Sequence, residues 1–321
     1  MTRKKPCLVG ENKCDVIRDV PAACADKDAA VAFMEKQRWA DDPCCPLCGG
    51  VDVYQMKDRK SGSREANYRW RCRDCGQKYT VRTGTVMAQT RMPLRYWCHA
   101  FWRVCSSKKS VSAKQIQRET GLSYKSALFL LHRVRFAMAD MKGVKLSGTV
   151  EVDEIYIGGK PRYKGQSQRG RGTRKQPVIG MVERSGRVRT CVIPDVTGKT
   201  LKDAVQQHVR KASRIITDEW PAYRKAVAGF DGGHSVVNHS MNEYVRGDVT
   251  TNTIESFFAI LKRGLIGVYH NVSRKYLQRY LDEFEFRYNT RKVDDGERTV
   301  AAIQGAIGKR LMYREPEERA A

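Results

Sequence analysis

The chain has 321 residues, with 60 Lys and Arg against 35 Asp and Glu, a formal charge of +25 and a pI near 9.8. That length accommodates two or three domains, and that charge asks for a partner that is anionic along its length, nucleic acid before an anionic membrane surface. No apolar run approaches the ~20 residues of a membrane helix, and the opening MTRKKPCLVGENKCD lacks the apolar core of a secretory signal, so the expectation is a cytoplasmic protein with no membrane partner.

Residues 1–39 read as a helical lead-in: within DKDAAVAFMEKQRW, Ala29, Ala30, Phe33 and Met34 recur at helical spacing and are the positions to bury. Residues 40–85 are punctuated by Gly and Cys, and NYRWRC and KYTVRTGT read as strands of a small hairpin. Cys45-Pro-Leu-Cys48 and Cys72-Arg-Asp-Cys75 each place two thiolates one knuckle apart, and the intervening residues allow one hairpin to return the second pair to the first. Four soft thiolates in a tetrahedron select Zn²⁺, and such closed sites are structural. Redox dithiols are the alternative, but they occur singly and in a βαβ setting. Cys44 is a spare neighbour that leaves the register of the first pair open. Arg64, Arg69, Arg71, Arg73 and Lys78 suit such a zinc ribbon to gripping DNA, with protein docking as the competing use.

Residues 86–145 read as a helical DNA-binding or linker region. Ile116, Leu122, Leu128, Leu131 and Val134 mark the buried side, and Gly121 falls where a tight turn between helices belongs, in the manner of a helix-turn-helix. Residues 123–126 would then begin a recognition helix, although any helical packing unit has the same apolar spacing.

From Gly148 the pattern changes to strands. GTVEVDEIYIGG alternates, PVIGMVERSGRVRTCVIPDV reads as two strands around Ser185-Gly186, LKDAVQQHVRKA as a helix and RIITDEW as a short buried strand. Two amphipathic helices follow, in TNTIESFFAILKRGL and SRKYLQRYLDEFEFRYNTR. This makes residues 146–293 a mixed α/β domain and leaves 294–321 as a C-terminal tail. The segment 160–175 carries Lys160, Arg162, Lys164, Arg169, Arg171, Arg174 and Lys175 with no acid, as expected of a loop that touches DNA phosphates.

Carboxylates at the ends of buried strands in a protein that binds a polyanion ask for a cation. Asp153, Asp218 and Glu255 occur in the order strand, strand, helix, and three such groups can hold two divalent ions about a phosphodiester. Lys262, two helical turns after Glu255, lies on the same helix face. Each acid also has a plainer reading. Asn252 and Glu255 have the spacing of a helix capping box, Asp218 precedes a Trp-Pro turn, and Asp153 can pair with an arginine. Glu154 and Glu219 adjoin the first two acids, and strand alternation sends only one of each pair toward a given face.

Together VEVDEIYIGGK, TDEWPAYR, the long stretch from VNHSMNEY to FRYNTR, and RWADDPCCPLCGG resemble the insertion-sequence transposases that join an N-terminal zinc ribbon to a DDE catalytic domain of the ribonuclease-H-like fold. The resemblance runs from about Phe33 to Arg291. It implies a metal-dependent enzyme that cleaves a strand at an element end and transfers the freed 3'-hydroxyl into target DNA. It implies Asp153, Asp218 and Glu255 as ligands of Mg²⁺ or Mn²⁺, with Lys262 as the accompanying lysine and Asn252 as an amide alternative for the third ligand. It further implies double-stranded DNA as partner and a homo-oligomer on that DNA. A non-catalytic DNA-binding regulator and a nuclease of the same fold are the alternatives; loss of any of the three acids would favour the regulator, and none is lost.

Overall fold

The computed structural model describes residues 16–140, 143–158, 175–241, 243 and 245–311. The chain divides into two units, one made of Met1–Met138 with Val293–Ala321 and the other of Ala139–Lys292.

In the first unit, α1 (Val16–Ala25) and α2 (Lys27–Trp39) pack together, and Asp26 caps α2 by accepting the Ala29 N–H at 2.8 Å. Ala30, Phe33 and Met34 are buried as expected, whereas Ala29, in the first turn, is only half-buried. The ribbon follows as three short antiparallel strands in sequential order, β1 (Val53–Gln55), β2 (Trp70–Cys72) and β3 (Lys78–Tyr79). Trp39 meets Trp70 and Tyr79 edge-on at centroid distances of 5.6 and 6.0 Å. Buried Glu35 accepts the Trp70 indole N–H at 2.7 Å and Arg64 Nη1 at 2.9 Å, so α2 supplies both an apolar wall and an anchor for the ribbon.

Three helices complete the middle of this unit: α3 (Leu94–Ser106), α4 (Ala113–Thr120) and α5 (Tyr124–Met138). Gly121 closes α4 at φ +71°, a left-handed conformation suited to glycine, and α5 begins three residues later. Ile116, Leu131 and Val134 are buried, but Leu122 in the turn and Leu128 on the flank of α5 are half-buried.

The second unit is built on one mixed sheet. Its strands are β4 (Thr149–Ile157), β5 (Gln176–Glu183), β6 (Val188–Val192), β7 (Arg214–Asp218) and β8 (His234–Val237), in the spatial order β6-β5-β4-β7-β8. The first three pair antiparallel, while β7 and β8 run parallel to β4. That order, with a helix on each parallel crossover, is the ribonuclease-H-like arrangement. The crossover helices α6 (Gly198–His208) and α7 (Pro221–Ala226) cover one face, where Leu201, Val205 and Tyr223 meet Val150, Val152, Ile179 and Met181.

A small hairpin, β9 (Val245–Arg246) with β10 (Val249–Thr250), leads into α8 (Asn252–Gly264), and α9 (Leu277–Asn289) follows. These two helices cover the other face through Ile254, Phe257, Phe258, Leu281 and Phe284, packed on Ile155, Val178, Val182 and Val188. Alternation along β4 thus feeds both layers. Gly180, opposite Asp153 in the β4–β5 register, lets α8 come close: a Cβ there would lie 2.6 Å from the Phe258 ring and 2.8 Å from Ile254. The last described helix, α10 (Asp295–Gln304), lies within the expected tail and packs on α3 of the first unit.

Candidate functional site

The ribbon gathers Cys45, Cys48, Cys72 and Cys75 so that their sulfurs lie within 4.8 Å of one another. Cys45 to Cys75 is 3.7 Å and Cys48 to Cys72 is 3.6 Å. Four Zn–S bonds of about 2.3 Å in a tetrahedron place sulfurs about 3.8 Å apart, so the cluster has the donors and spacing for Zn²⁺. Each knuckle is closed by a glycine of positive φ, Gly49 at 77° and Gly76 at 67°. Cys45 and Gly49 are joined by a backbone bond of 2.8 Å, and the Gly50 N–H reaches Cys48 Sγ at 3.4 Å. Cys44 lies outside this cluster, which resolves the register of the first pair.

The acids are assembled by topology rather than by a local turn. Glu151 pairs with Ile216 in the parallel register of β4 and β7, and continuing both strands by two residues reaches Asp153 and Asp218 together. Oxygens of Asp153, Glu154 and Asp218 lie within 4.8 Å of one another. Burial, then the charge of Glu154, then those of Asp218 and Glu255, push the Asp153 carboxyl up to about 7. A surplus of negative charge in a half-buried pocket of hard oxygen donors matches the preference of Mg²⁺ or Mn²⁺.

Glu154 departs from what alternation led us to expect. It leaves β4 on the α7 side, where its Oε2 accepts the hydroxyl of fully buried Tyr223 at 2.7 Å, yet its carboxylate still reaches Asp153 and Asp218. Burial and the neighbouring carboxylates raise the Tyr223 hydroxyl well above its ordinary range, so it stays a proton donor to Glu154. Around the aspartates, the Glu154 N–H donates to Asp153 Oδ1 at 2.7 Å and the Trp220 N–H to Asp218 Oδ1 at 3.2 Å.

Glu255 is exposed in the first turn of α8, close enough to act on the Asp153 charge. The capping-box reading does not hold. Asn252 is the first helical residue rather than the cap, and Thr251, at the cap position, donates its hydroxyl to Glu255 Oε1 at 2.8 Å. Lys262 is exposed on the same helix and lines a half-open cavity of about 210 Å³ with Lys175, Tyr156 and His270. Of the basic loop, Lys175 alone falls among the described residues; Lys160, Arg162, Lys164, Arg169, Arg171 and Arg174 lie outside them.

Sequence reasoning passed over Glu151 and Arg184. Alternation could have flagged Glu151, since it shares the face of Asp153, but an acid in mid-strand carries no motif of its own. Arg184, just past β5, donates to Glu151 Oε1 at 3.0 Å.

Residues 145–289 match the ISXO2-like transposase domain, and residues 25–78 match the transposase zinc-ribbon domain. The chain is 29% identical over 272 residues to a protein from Halobacterium salinarum described as an uncharacterized protein in transposable element ISH50, covering 80% of this chain and 89% of that one. Among solved structures it has a loose likeness to the Mos1 strand transfer complex, with a TM-score of 0.27 and 13% identity. A pre-cleavage Mos1 transpososome gives 0.25 and 11%. Each likeness covers 60% of this chain and 70% of the other, and at such scores the fold assignment rests on the strand order alone.

Proposed function

We propose that this chain, which carries the zinc-ribbon and ISXO2-like domains of transposases, cleaves DNA at the ends of its element and joins the freed 3'-hydroxyl to target DNA. The observation that carries this reading is the meeting of Asp153, in the middle of β4, with Asp218 at the end of the adjacent parallel strand β7, with the Asp153 carboxyl pushed up to about 7 by burial and surrounding acids. Such a site is poised to exchange a proton for a divalent cation. Bound Mg²⁺ or Mn²⁺ would supply activation of the attacking oxygen and neutralisation of the leaving one.

In this reading Asp153, Asp218 and Glu255 would hold the ions. Backbone N–H groups of Glu154 and Trp220 orient the two aspartates. Lys262, exposed beyond Glu255 on α8, meets the phosphate backbone and steadies the scissile strand. The zinc ribbon, the α4–α5 pair and the basic segment 160–175 bind duplex DNA, and the protein works as an oligomer that holds two element ends in the cytoplasm. Neutralising the seven Lys and Arg of that segment then flattens the salt dependence of DNA affinity, and an unchanged slope rules the contact out.

The test is strand cleavage and joining by the purified protein on a labelled duplex carrying its own element end, with Mg²⁺. Wild type is expected to cleave and join, Glu255→Gln to bind the end without cleaving, and Asn252→Ala to keep activity. A wild type that binds the end and never cleaves is a regulator rather than a transposase; one that cleaves and never joins is a nuclease.

A further inference from the structure

Glu151 lies two residues before Asp153 on β4, so both side chains leave the sheet on the face covered by α8. Its side chain is fully buried, an expensive place for a carboxylate unless every oxygen is met by donors. The donors are there. Oε2 accepts the backbone N–H groups of Thr253 at 2.9 Å and Ile254 at 3.1 Å, while Oε1 accepts the Thr253 hydroxyl at 2.9 Å and Arg184 Nε at 3.0 Å. Arg184 extends the clamp in two directions, through Nη2 to the Thr250 carbonyl at 3.1 Å and through its backbone N–H to the Thr149 carbonyl at 3.0 Å.

The first turn of a helix leaves N–H groups that a local Ser, Thr or Asp ordinarily satisfies. Here Thr250 takes the Asn252 N–H at 3.2 Å and Thr251 turns its hydroxyl to Glu255, leaving Thr253 and Ile254 to a carboxylate from another element. A local cap fixes where a helix starts along its own chain. A cap supplied by β4 also fixes where α8 starts along the sheet. Ile254 immediately precedes Glu255, and Glu151 precedes Asp153 by two, so this one buried contact ties together the elements that carry two of the three acids.

We propose that Glu151, held by Arg184, is a positioning residue that locks the start of α8 to β4 and so keeps Glu255 where it shares a divalent cation with Asp153 and Asp218. This rests on the reading of those three acids as a metal site. Outer partners of this kind usually govern metal affinity by 10–100-fold.

The experiment titrates Mn²⁺ into the zinc-loaded full-length protein, following free Mn²⁺ by its electron paramagnetic resonance signal at a temperature well below unfolding, with circular dichroism to verify the fold. Wild type is expected to bind Mn²⁺ and Asp153→Asn to lose it. Glu151→Gln is expected to stay folded and bind about 10–100-fold more weakly. A purely structural role would lower the melting temperature and leave this affinity alone, so a folded Glu151→Gln with wild-type affinity overturns the proposal. Should Glu151→Gln not fold, Thr253→Val, which removes one donor to Glu151 and keeps the backbone pair, decides: weakened Mn²⁺ binding supports the clamp and unchanged binding overturns it. A wild type that binds no Mn²⁺ removes the metal site itself and this proposal with it, an outcome distinct from loss in the variants alone.

Discussion

Cys45, Cys48, Cys72 and Cys75 meet through two glycine-closed knuckles in turns beside short strands, whereas Asp153, Asp218 and Glu255 come from the middle of a central strand, a strand end and the start of a helix. The ribbon strands have three, three and two residues, too few to build a core of their own. The two aspartates sit on a sheet already packed on both faces by apolar residues, and Glu255 on a helix packed against it. In the ribbon the cation would be the core; in the second unit the core stands without a cation, and one held by the acids would be left free for chemistry.

The sharpest way to break that contrast is to strip the metals. Chelation of Zn²⁺ is expected to forfeit most of the roughly 10 kcal/mol that a structural zinc supplies, exposing residues 44–79 to protease while the sheet of the second unit keeps its protection. Removal of Mg²⁺ is expected to leave both folded. Hydrogen exchange resolved by region checks both. The chemistry should respond in the opposite sense: Asp153→Asn or Asp218→Asn is expected to lower strand cleavage by about 10³-fold or more, with the fold retained and DNA affinity close to wild type.

Packing behind the acids gives an intermediate effect. Gly180→Val places its Cβ against Phe258 and Ile254, so α8 must shift; a loss of about 1–3 kcal/mol on overpacking, read by denaturant unfolding, should accompany a fall in cleavage.

Titration separates the two sites further. The folded Asp153 carboxyl, near 7, lies above its ordinary 3.8, so its contribution to stability is complete below about 3.8 and is lost as pH rises through about 7. A divalent cation bound there would take the place of the proton and restore that contribution. The rise in melting temperature on adding Mg²⁺ is therefore expected to be larger at pH 8 than at pH 6, with Mn²⁺ affinity falling by up to about tenfold per pH unit below 7. Tyr223→Phe should have the smallest effect, about 1 kcal/mol, because it removes one hydrogen bond to Glu154 and keeps the buried ring.

The two regions also differ in how far the sequence reveals them. Cysteine spacing specifies the ribbon because its ligands sit in local turns. The strand at Thr149–Ile157 follows from alternation, that at Arg214–Asp218 from a short apolar run, and the helix at Asn252–Gly264 from amphipathic spacing. Long-range pairing stays hidden. The Asn252 capping box fails because Glu151, distant in sequence, takes over the helix start, and Glu154 reaches the aspartates despite alternation because a glutamate side chain has the length to do so. Leu122, Leu128 and Ala29 are less buried than their periodicity suggests, lying at a turn, a helix flank and a first turn, where the apolar stripe meets solvent.

The most direct test of the account is anomalous diffraction from crystals soaked in Mn²⁺. Manganese density contacting Asp153, Asp218 and Glu255 is the expected result. Peaks held by Asp153, Glu154 and Asp218 with Glu255 uncoordinated, or no peak at these acids, would contradict it.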